Sequence, residues 1–140
     1  MQNGLRVAVD TNILFMFLYK PDSKAGQILR YAAEEKIFLV APDIVKEELK
    51  ILLERKFGYD SFKTKQTIEA LPIEWYDREL YSEFISKAKL MPHKPDRPLV
   101  ALALLLNCGI LTANYKHFKH VKKALKIWSI DELLEKIKNQ

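Results

Sequence analysis

Residues 5–9 have the sequence LRVAV, a compact apolar run that ends at Asp10, Thr11 and Asn12. The run predicts a buried strand, and residues 12–19 (NILFMFLY) predict the helix that follows it. A carboxylate directly after a strand either caps the next helix or belongs to a site, and Asp10 taken alone favours neither. This stretch therefore predicts a strand–helix unit with a charged residue at its junction.

The alternation of strand and helix continues along the chain. Further strands are predicted at residues 37–40, 73–75, 110–112 and 126–128. Further helices are predicted at residues 23–35, 43–57, 61–70, 78–90 and 99–107, with a last helix after Ser129. Asp43 and Asp96 are the expected caps of two of these helices, Gly109 is expected to end the helix of residues 99–107, and Ser129 with Glu132 predicts a capping box.

The predicted strands are too continuously apolar for a sheet with one wet face. They predict an α/β fold, a three-layer α/β/α domain whose central parallel sheet has four to five strands. No repeat or linker divides residues 1–140, so we expect a single domain. Ligands of such sheets bind beyond the carboxyl ends of the strands, where Asp10 and Asn114 lie.

Composition excludes several classes of function. The lone cysteine, Cys108, rules out an internal disulfide and a cysteine zinc clip, which fits a cytoplasmic protein, and its apolar setting predicts packing rather than catalysis. The chain has no long apolar stretch typical of a signal peptide or membrane span. Its four glycines form no phosphate-binding loop, and no GxSxG or HExxH motif is present.

Carboxylates at element boundaries remain as the candidates for chemistry. Glu48, beside Glu47 in a predicted helix, would ordinarily face solvent, and Asp96 would ordinarily cap a helix. Together with Asp10, however, they place three acids on three separate elements that can converge on one cation. Mg²⁺ and Mn²⁺ prefer such oxygen ligands and promote phosphodiester hydrolysis.

Three segments resemble, in order and spacing, the motifs of PIN-domain nucleases, and together they span most of the chain. They are VAVDTNILF (7–15), APDIVKEELKILLERKF (41–57) and KPDRPLVALALLLNCGILTANYKHF (94–118). The chain is most similar to small prokaryotic PIN ribonucleases identified as toxins of toxin–antitoxin pairs. The resemblance implies that Asp10, Glu48 and Asp96 are catalytic and bind Mg²⁺ or Mn²⁺, and it aligns the family's glutamate with Glu48 rather than Glu47.

One position departs from the family pattern. Asn114 stands where the family often has an aspartate two residues after the threonine, so the sequence supports one site of three carboxylates and weakens the case for a second metal. We expect supporting residues to orient the acids, with local backbone bonding at turns as an equal alternative. These residues are Thr11, Asn12, Thr112 and Asn114.

The basic stretch at residues 116–126 (KHFKHVKKALK) follows this position. Its lysines can bind the phosphates of RNA, and Tyr115 and Phe118 can stack on bases; an equal alternative is a solvated helix face with Phe118 and Val121 in the core. The spacing of His117 and His120 permits a metal ligand pair, although surface placement is the stronger expectation. The expected RNA-binding residues are Lys116, Lys119, Lys122 and Lys123.

The sequence thus predicts a metal-dependent endoribonuclease that cleaves single-stranded or structured RNA by water attack, with RNA and an antitoxin as partners. The first alternative is a catalytically weakened PIN-fold module for RNA binding or assembly. The second is a phosphatase of the haloacid dehalogenase type, which Asn12 disfavours because it occupies the general-acid position. A homodimer or larger even oligomer is expected from four aromatic residues, Phe57, Tyr59, Tyr81 and Phe84.

Overall fold

The computed structural model describes residues 4–140, and its centre is a parallel sheet of five strands in the order β3-β2-β1-β4-β5. The strands are β1 (Arg6–Val9), β2 (Phe38–Pro42), β3 (Ile73–Tyr76), β4 (Gly109–Leu111) and β5 (Ile127–Trp128). In the register at the centre of the sheet, Ala8 is paired with Val40 on one side and Ile110 on the other. The predicted parallel sheet is confirmed, with five strands.

Helices cover both faces of the sheet. They are α1 (Thr11–Tyr19), α2 (Lys24–Ala33), α3 (Asp43–Phe57), α4 (Ser61–Ala70), α5 (Arg78–Tyr81), α6 (Arg97–Leu106) and α7 (Ile130–Lys138). Short 3-10 turns occur at Ser82–Phe84, Lys87–Leu90, Lys94–Asp96 and Tyr115–Phe118. Within residues 4–140, none of the helices has the length and apolar character needed to cross a membrane.

Two hydrophobic cores lie on opposite faces of the sheet because successive strand residues point in opposite directions. Val7 and Val9 pack with α1, α2, α3, α4 and α7, whereas Ala8 packs with α6 and the segments around Tyr81 and Phe118. Val7, Ala8 and Val9 are all fully buried, which explains the continuous apolar run. The arrangement is the predicted three-layer α/β/α fold.

Helix starts follow the predicted cap chemistry at some positions and not at others. The Ser129 hydroxyl accepts from the N–H of Glu132 while the Glu132 carboxylate accepts from the N–H of Ser129, so the capping box is confirmed. Asp43 is not the cap of α3, because the helix begins at Asp43 and Pro42 is the preceding residue. Its carboxylate instead accepts from the N–H of Arg78 and from the Tyr81 hydroxyl.

The helix predicted at residues 78–90 is wrong. The chain there forms α5 and two 3-10 turns, and Leu80 is 56% exposed. Tyr81 is fully buried and its hydroxyl lies 2.6 Å from Asp43 Oδ1, so a contact across the fold fixes the backbone that periodicity assigned to a helix. The burial of Tyr81 also removes it from the aromatic residues expected to promote a dimer.

The end of α6 differs from the prediction by a few residues. Asn107, with φ 51°, ends the helix, and Gly109 begins β4 rather than terminating α6. A Cβ at Gly109 would lie 2.7 Å from Trp128 Nε1 and 2.8 Å from the Lys126 carbonyl oxygen. The glycine is therefore required by the close approach of the β5 segment.

Candidate active site

Asp10 lies at the carboxyl end of the central strand β1 and is the N-cap of α1. One carboxylate oxygen accepts from the N–H of Ile13 at 2.9 Å, and the other accepts from the Thr112 hydroxyl at 3.2 Å. Thr112 follows β4, the neighbouring strand, and its hydroxyl also accepts from the N–H of Asn114 at 2.9 Å. Two adjacent strands and a helix start thus fix the Asp10 carboxylate.

Glu48 approaches Asp10 from α3. Its Oε1 accepts from the Thr11 hydroxyl at 3.0 Å, so the first residue of α1 holds the glutamate. Glu47, the adjacent acid, instead pairs with Lys50 at 3.2 Å on the solvent side of the helix. Glu48 therefore borders the cavity and Glu47 lies at the surface, in agreement with the motif alignment that selects Glu48.

Asp96 is the residue before α6, but its carboxylate makes no capping bond to the first turn of that helix. Instead, its Oδ2 lies 2.8 Å from His93 Nδ1 and 3.5 Å from His117 Nδ1. The two imidazole rings are in contact and tilted by 33°, with centroids 4.8 Å apart. The backbone position predicted for Asp96 is confirmed, and the predicted side-chain cap is wrong.

All three acids line one cavity of about 420 Å³. We call Asp10, Glu48 and Asp96 the carboxylate end, and His93, His117 and the shared Asp96 the histidine end. The cavity is also bordered by Asn12, Asn114 and apolar side chains of α3. It lies beyond the carboxyl ends of β1 and β4, where a parallel sheet is expected to bind its ligand.

Asp10 is electrostatically strained in this cavity. Burial raises the pKa of Asp10 to about 6, against the lowering effect of its hydrogen bonds from Ile13 and Thr112, and the charges of Asp96 and Glu48 raise it further. Ionised Asp10 is therefore unfavourable without a counter-charge. A divalent cation would remove this penalty, so the donor set fits Mg²⁺ or Mn²⁺ held by the three acids.

The structure places the four supporting residues around these acids. Thr11 and Thr112 are buried and donate to Glu48 and Asp10, respectively, whereas Asn12 and Asn114 are exposed on the cavity border. The Asn114 side-chain amide lies 3.0 Å from His117 Nδ1. Local backbone bonding, the alternative expectation, describes Thr112 in part, because its hydroxyl also accepts from the N–H of Asn114.

The lysines predicted to contact RNA are exposed on the segment that follows the cavity; they are Lys116, Lys119, Lys122 and Lys123. Phe118 and Val121 are each 1% exposed, so of the two equal alternatives their burial in the core is confirmed and base stacking by Phe118 is excluded. Tyr115 is 44% exposed. The segment forms a 3-10 turn and further turns instead of a regular helix.

His117 and His120 are both exposed, in agreement with the expected surface placement. His117 lies beside His93 and Asp96, whereas His120 is exposed and outside this cluster. His93 was missed because it lies in a proline-containing loop without a motif spacing to His117. Cys108 is half-buried, and burial raises the pKa of its thiol to about 11, in keeping with a packing role.

Comparison with known proteins bears on the whole arrangement. A chain in the structure of a toxin–antitoxin complex from Klebsiella pneumoniae is similar in fold, with a TM-score of 0.62 and 20% sequence identity over 89% of this chain and 97% of that chain. No curated protein sequence matches this chain. A family model described as the PIN domain matches residues 8–138. The chain therefore belongs to the PIN-domain family.

Proposed function

We propose that this protein is a divalent-cation-dependent endoribonuclease whose cation is held by Asp10, Glu48 and Asp96. The observation that carries the proposal is the convergence of three acids from separate elements on one cavity, with burial raising the pKa of Asp10 to about 6. Membership of a family whose members are generally nucleases supports it. Bound Mg²⁺ or Mn²⁺ supplies polarisation of a phosphodiester and activation of water.

The chain's own groups then have distinct tasks. Asp10 and Glu48 provide negative charge, and the hydroxyls of Thr112 and Thr11 hold those carboxylates in position. Asn114, at the cavity border, offers an amide to orient a phosphate oxygen or water.

RNA is the proposed substrate because basic and aromatic residues continue from the cavity border. The exposed lysines of residues 116–123 can bind phosphates, and the exposed Tyr115 can stack on an unpaired base. The matched test removes two positive charges at Lys122 and Lys123, or at Lys136 and Lys138 on α7. Glutamine at the first pair should weaken RNA binding and its salt dependence, whereas glutamine at the second pair should not.

The decisive experiment incubates labelled single-stranded RNA, structured RNA and single-stranded DNA with the full chain in Mg²⁺, Mn²⁺ or EDTA. Internal cleavage of RNA that requires the cation and disappears in Asp10→Asn supports the proposal. Binding of RNA without cleavage under every condition would instead establish the weakened RNA-binding module, for which Asn114 is the supporting observation.

A toxin role with an antitoxin partner, in the cytoplasm, is the biological setting we propose, supported by the toxin–antitoxin complex of the similar structure. Ile44 and Ile51 of α3 are 42% and 50% exposed beside the cavity and provide apolar surface for a partner. Induced expression of the wild type should arrest growth, and Asp10→Asn should not. Normal growth with active protein would contradict the toxin role.

We also propose a homodimer, because Tyr19 is 70% exposed and belongs to a cluster of aromatic rings with Phe15, Phe57 and Tyr59. Phe57 and Tyr59 are half-buried members of this cluster, and the half-buried Phe84 lies in the other core. Light scattering should report twice the chain mass of 16.4 kDa. A mass of one chain at micromolar concentration would contradict the dimer.

A further inference from the structure

Two imidazoles and one carboxylate meet at the histidine end of the cavity. His93 precedes α6 in a loop, Asp96 immediately precedes α6, and His117 lies in the 3-10 turn after β4. One ligand atom from each residue can be chosen so that all lie within 4.8 Å of one another. For both histidines, the nitrogen nearest Asp96 Oδ2 is Nδ1.

The separations are close to those of ligands around one ion. Metal–nitrogen and metal–oxygen bonds near 2.1 Å in tetrahedral geometry place neighbouring ligand atoms roughly 3.4 Å apart. The His117–Asp96 separation of 3.5 Å matches this value, and the His93–Asp96 separation of 2.8 Å must open by roughly 0.6 Å. Both imidazoles are nearly half-exposed, at 49% and 43%, so neither ring is enclosed by close packing on every side.

Asn114 provides a candidate fourth ligand. Its side-chain amide lies 3.0 Å from Nδ1 and 3.1 Å from Nε2 of His117, and rotation of the amide by half a turn brings its carbonyl oxygen to the same place. Asp96 has a second carboxylate oxygen, so it can serve this cluster and the carboxylate end together. The donor set at the histidine end is therefore two nitrogens and one or two oxygens.

We propose that His93, Asp96 and His117 form a transition-metal site, selective for Zn²⁺-class ions over Mg²⁺, next to the three-carboxylate site. Imidazole nitrogen suits Zn²⁺ and Co²⁺, whereas Mg²⁺ binds oxygen ligands and retains its water. The two ends of the cavity thus differ in ion preference because they differ in donor atoms. The site depends only on these ligands and not on RNA cleavage.

The charge of the occupied carboxylate end favours binding of a second cation at the histidine end. Three carboxylates with one divalent cation keep a net negative charge, so a second cation at the histidine end is attracted rather than repelled by the occupied carboxylate end. The alternative role of the histidines is to hold Asp96 by hydrogen bonds without binding a metal. That role requires the same contacts but produces no ligand-field spectrum.

The test is a Co²⁺ titration of the full chain in excess Mg²⁺, followed by visible absorption. We expect a band that saturates at one Co²⁺ per chain and is displaced by Zn²⁺. His93→Ala and His117→Ala should each weaken Co²⁺ binding by about tenfold or more, and the double variant should lose the band. His120→Ala is the matched control and should behave as the wild type, with circular dichroism confirming that all variants fold.

The carboxylate site provides a second control. Asp10→Asn should retain the Co²⁺ band, because Asp10 is not a ligand at the histidine end. The proposal is overturned if the wild type shows no band, if the band survives the double histidine variant, or if Mg²⁺ displaces Co²⁺ as readily as Zn²⁺ does. Failure of RNA cleavage alongside a histidine-dependent band would overturn the proposed ribonuclease function and leave this site standing.

Discussion

At the carboxylate end of the cavity, Asp10 and Thr112 directly follow buried parallel strands, whereas at the histidine end His93 and His117 lie on a loop and a 3-10 turn. The first end is held by hydrogen bonds between adjacent elements. The second consists of half-exposed rings around one carboxylate. The difference teaches that the sheet fixes the positions of the charged oxygen ligands, whereas the irregular segments add nitrogen ligands to the same cavity.

The largest expected effect is on cleavage by the carboxylate end. Asp10→Asn removes a charged ligand, and the loss of several kcal/mol of transition-state stabilisation corresponds to about 1000-fold slower Mg²⁺-dependent RNA cleavage. His93→Ala, at the other end, should remain within about tenfold of the wild type in Mg²⁺. Single-turnover rates measure both, and equal losses would abolish the distinction between the two ends.

The stability of the cation-free protein should respond in the opposite direction. The pKa of Asp10 is raised from 3.8 to about 6 in the folded state. Ionised Asp10 therefore destabilises the folded state relative to the unfolded state above pH 6, and this cost disappears as the pH falls towards 4. Asp10→Asn should therefore stabilise the protein in EDTA at pH 7.5 by up to about 3 kcal/mol. Asparagine also retains the ability to cap α1.

Urea unfolding at pH 7.5 and pH 4 measures this effect, with Glu47→Gln, an exposed acid that pairs with Lys50 on the solvent side of α3, as the control. The gain should shrink at the lower pH, where Asp10 is protonated in the folded wild type. A destabilised Asp10→Asn at pH 7.5 would show that Asp10 serves the fold more than it strains it.

The stability of the irregular segment at residues 78–90 should depend on Tyr81. Tyr81→Phe retains the buried ring but removes the hydroxyl that donates to Asp43, a hydrogen bond to a charged group worth about 2 kcal/mol. Urea unfolding should show this loss, with little change in Mn²⁺ affinity. A variant as stable as the wild type would mean that the Tyr81–Asp43 contact does not hold residues 78–90.

The smallest effect concerns the hydroxyl that orients Asp10. Thr112→Val keeps the side-chain volume but removes a hydrogen bond to Asp10 Oδ2, so Mn²⁺ affinity should fall by about tenfold and the pKa of Asp10 should rise. Thr112→Ser retains the hydroxyl and should restore binding in calorimetry. If the Thr112→Ser and Thr112→Val variants bind Mn²⁺ with the same affinity, the Thr112 hydroxyl does not contribute to the cation site.

The carboxylate end could be predicted because local patterns determine it. The apolar run before Asp10 forms β1, the cap position of Asp10 begins α1, and the strand before Thr112 pairs directly with β1. The capping box of α7 is likewise a local motif that the structure confirms. In these cases a local pattern places the residue at a strand end or a helix start, and the pairing of β1 with β4 then brings Thr112 to Asp10 although the two are distant in sequence.

The histidine end could not be predicted in this way, because its residues lie in a loop and a 3-10 turn, whose positions depend on tertiary contacts rather than on periodicity or strand pairing. His93 and His117 meet across Asp96, and no periodicity relates a loop to a turn. The error at residues 78–90 has the same origin: a helical apolar pattern was overruled by Tyr81 bonding to Asp43. For Phe118, the basic neighbours left base stacking and burial in the core equally open, and the structure buries it in the second core.

Binding of Mn²⁺ measured by electron paramagnetic resonance tests the central claim, that Asp10, Glu48 and Asp96 share one cation. The double variant His93→Ala, His117→Ala serves as the parent, so that only the carboxylate end can bind. The account predicts one bound Mn²⁺ per chain, competed by Mg²⁺, and lost separately in Asp10→Asn, Glu48→Gln and Asp96→Asn while each variant stays folded. Undiminished Mn²⁺ affinity in all three variants would contradict it.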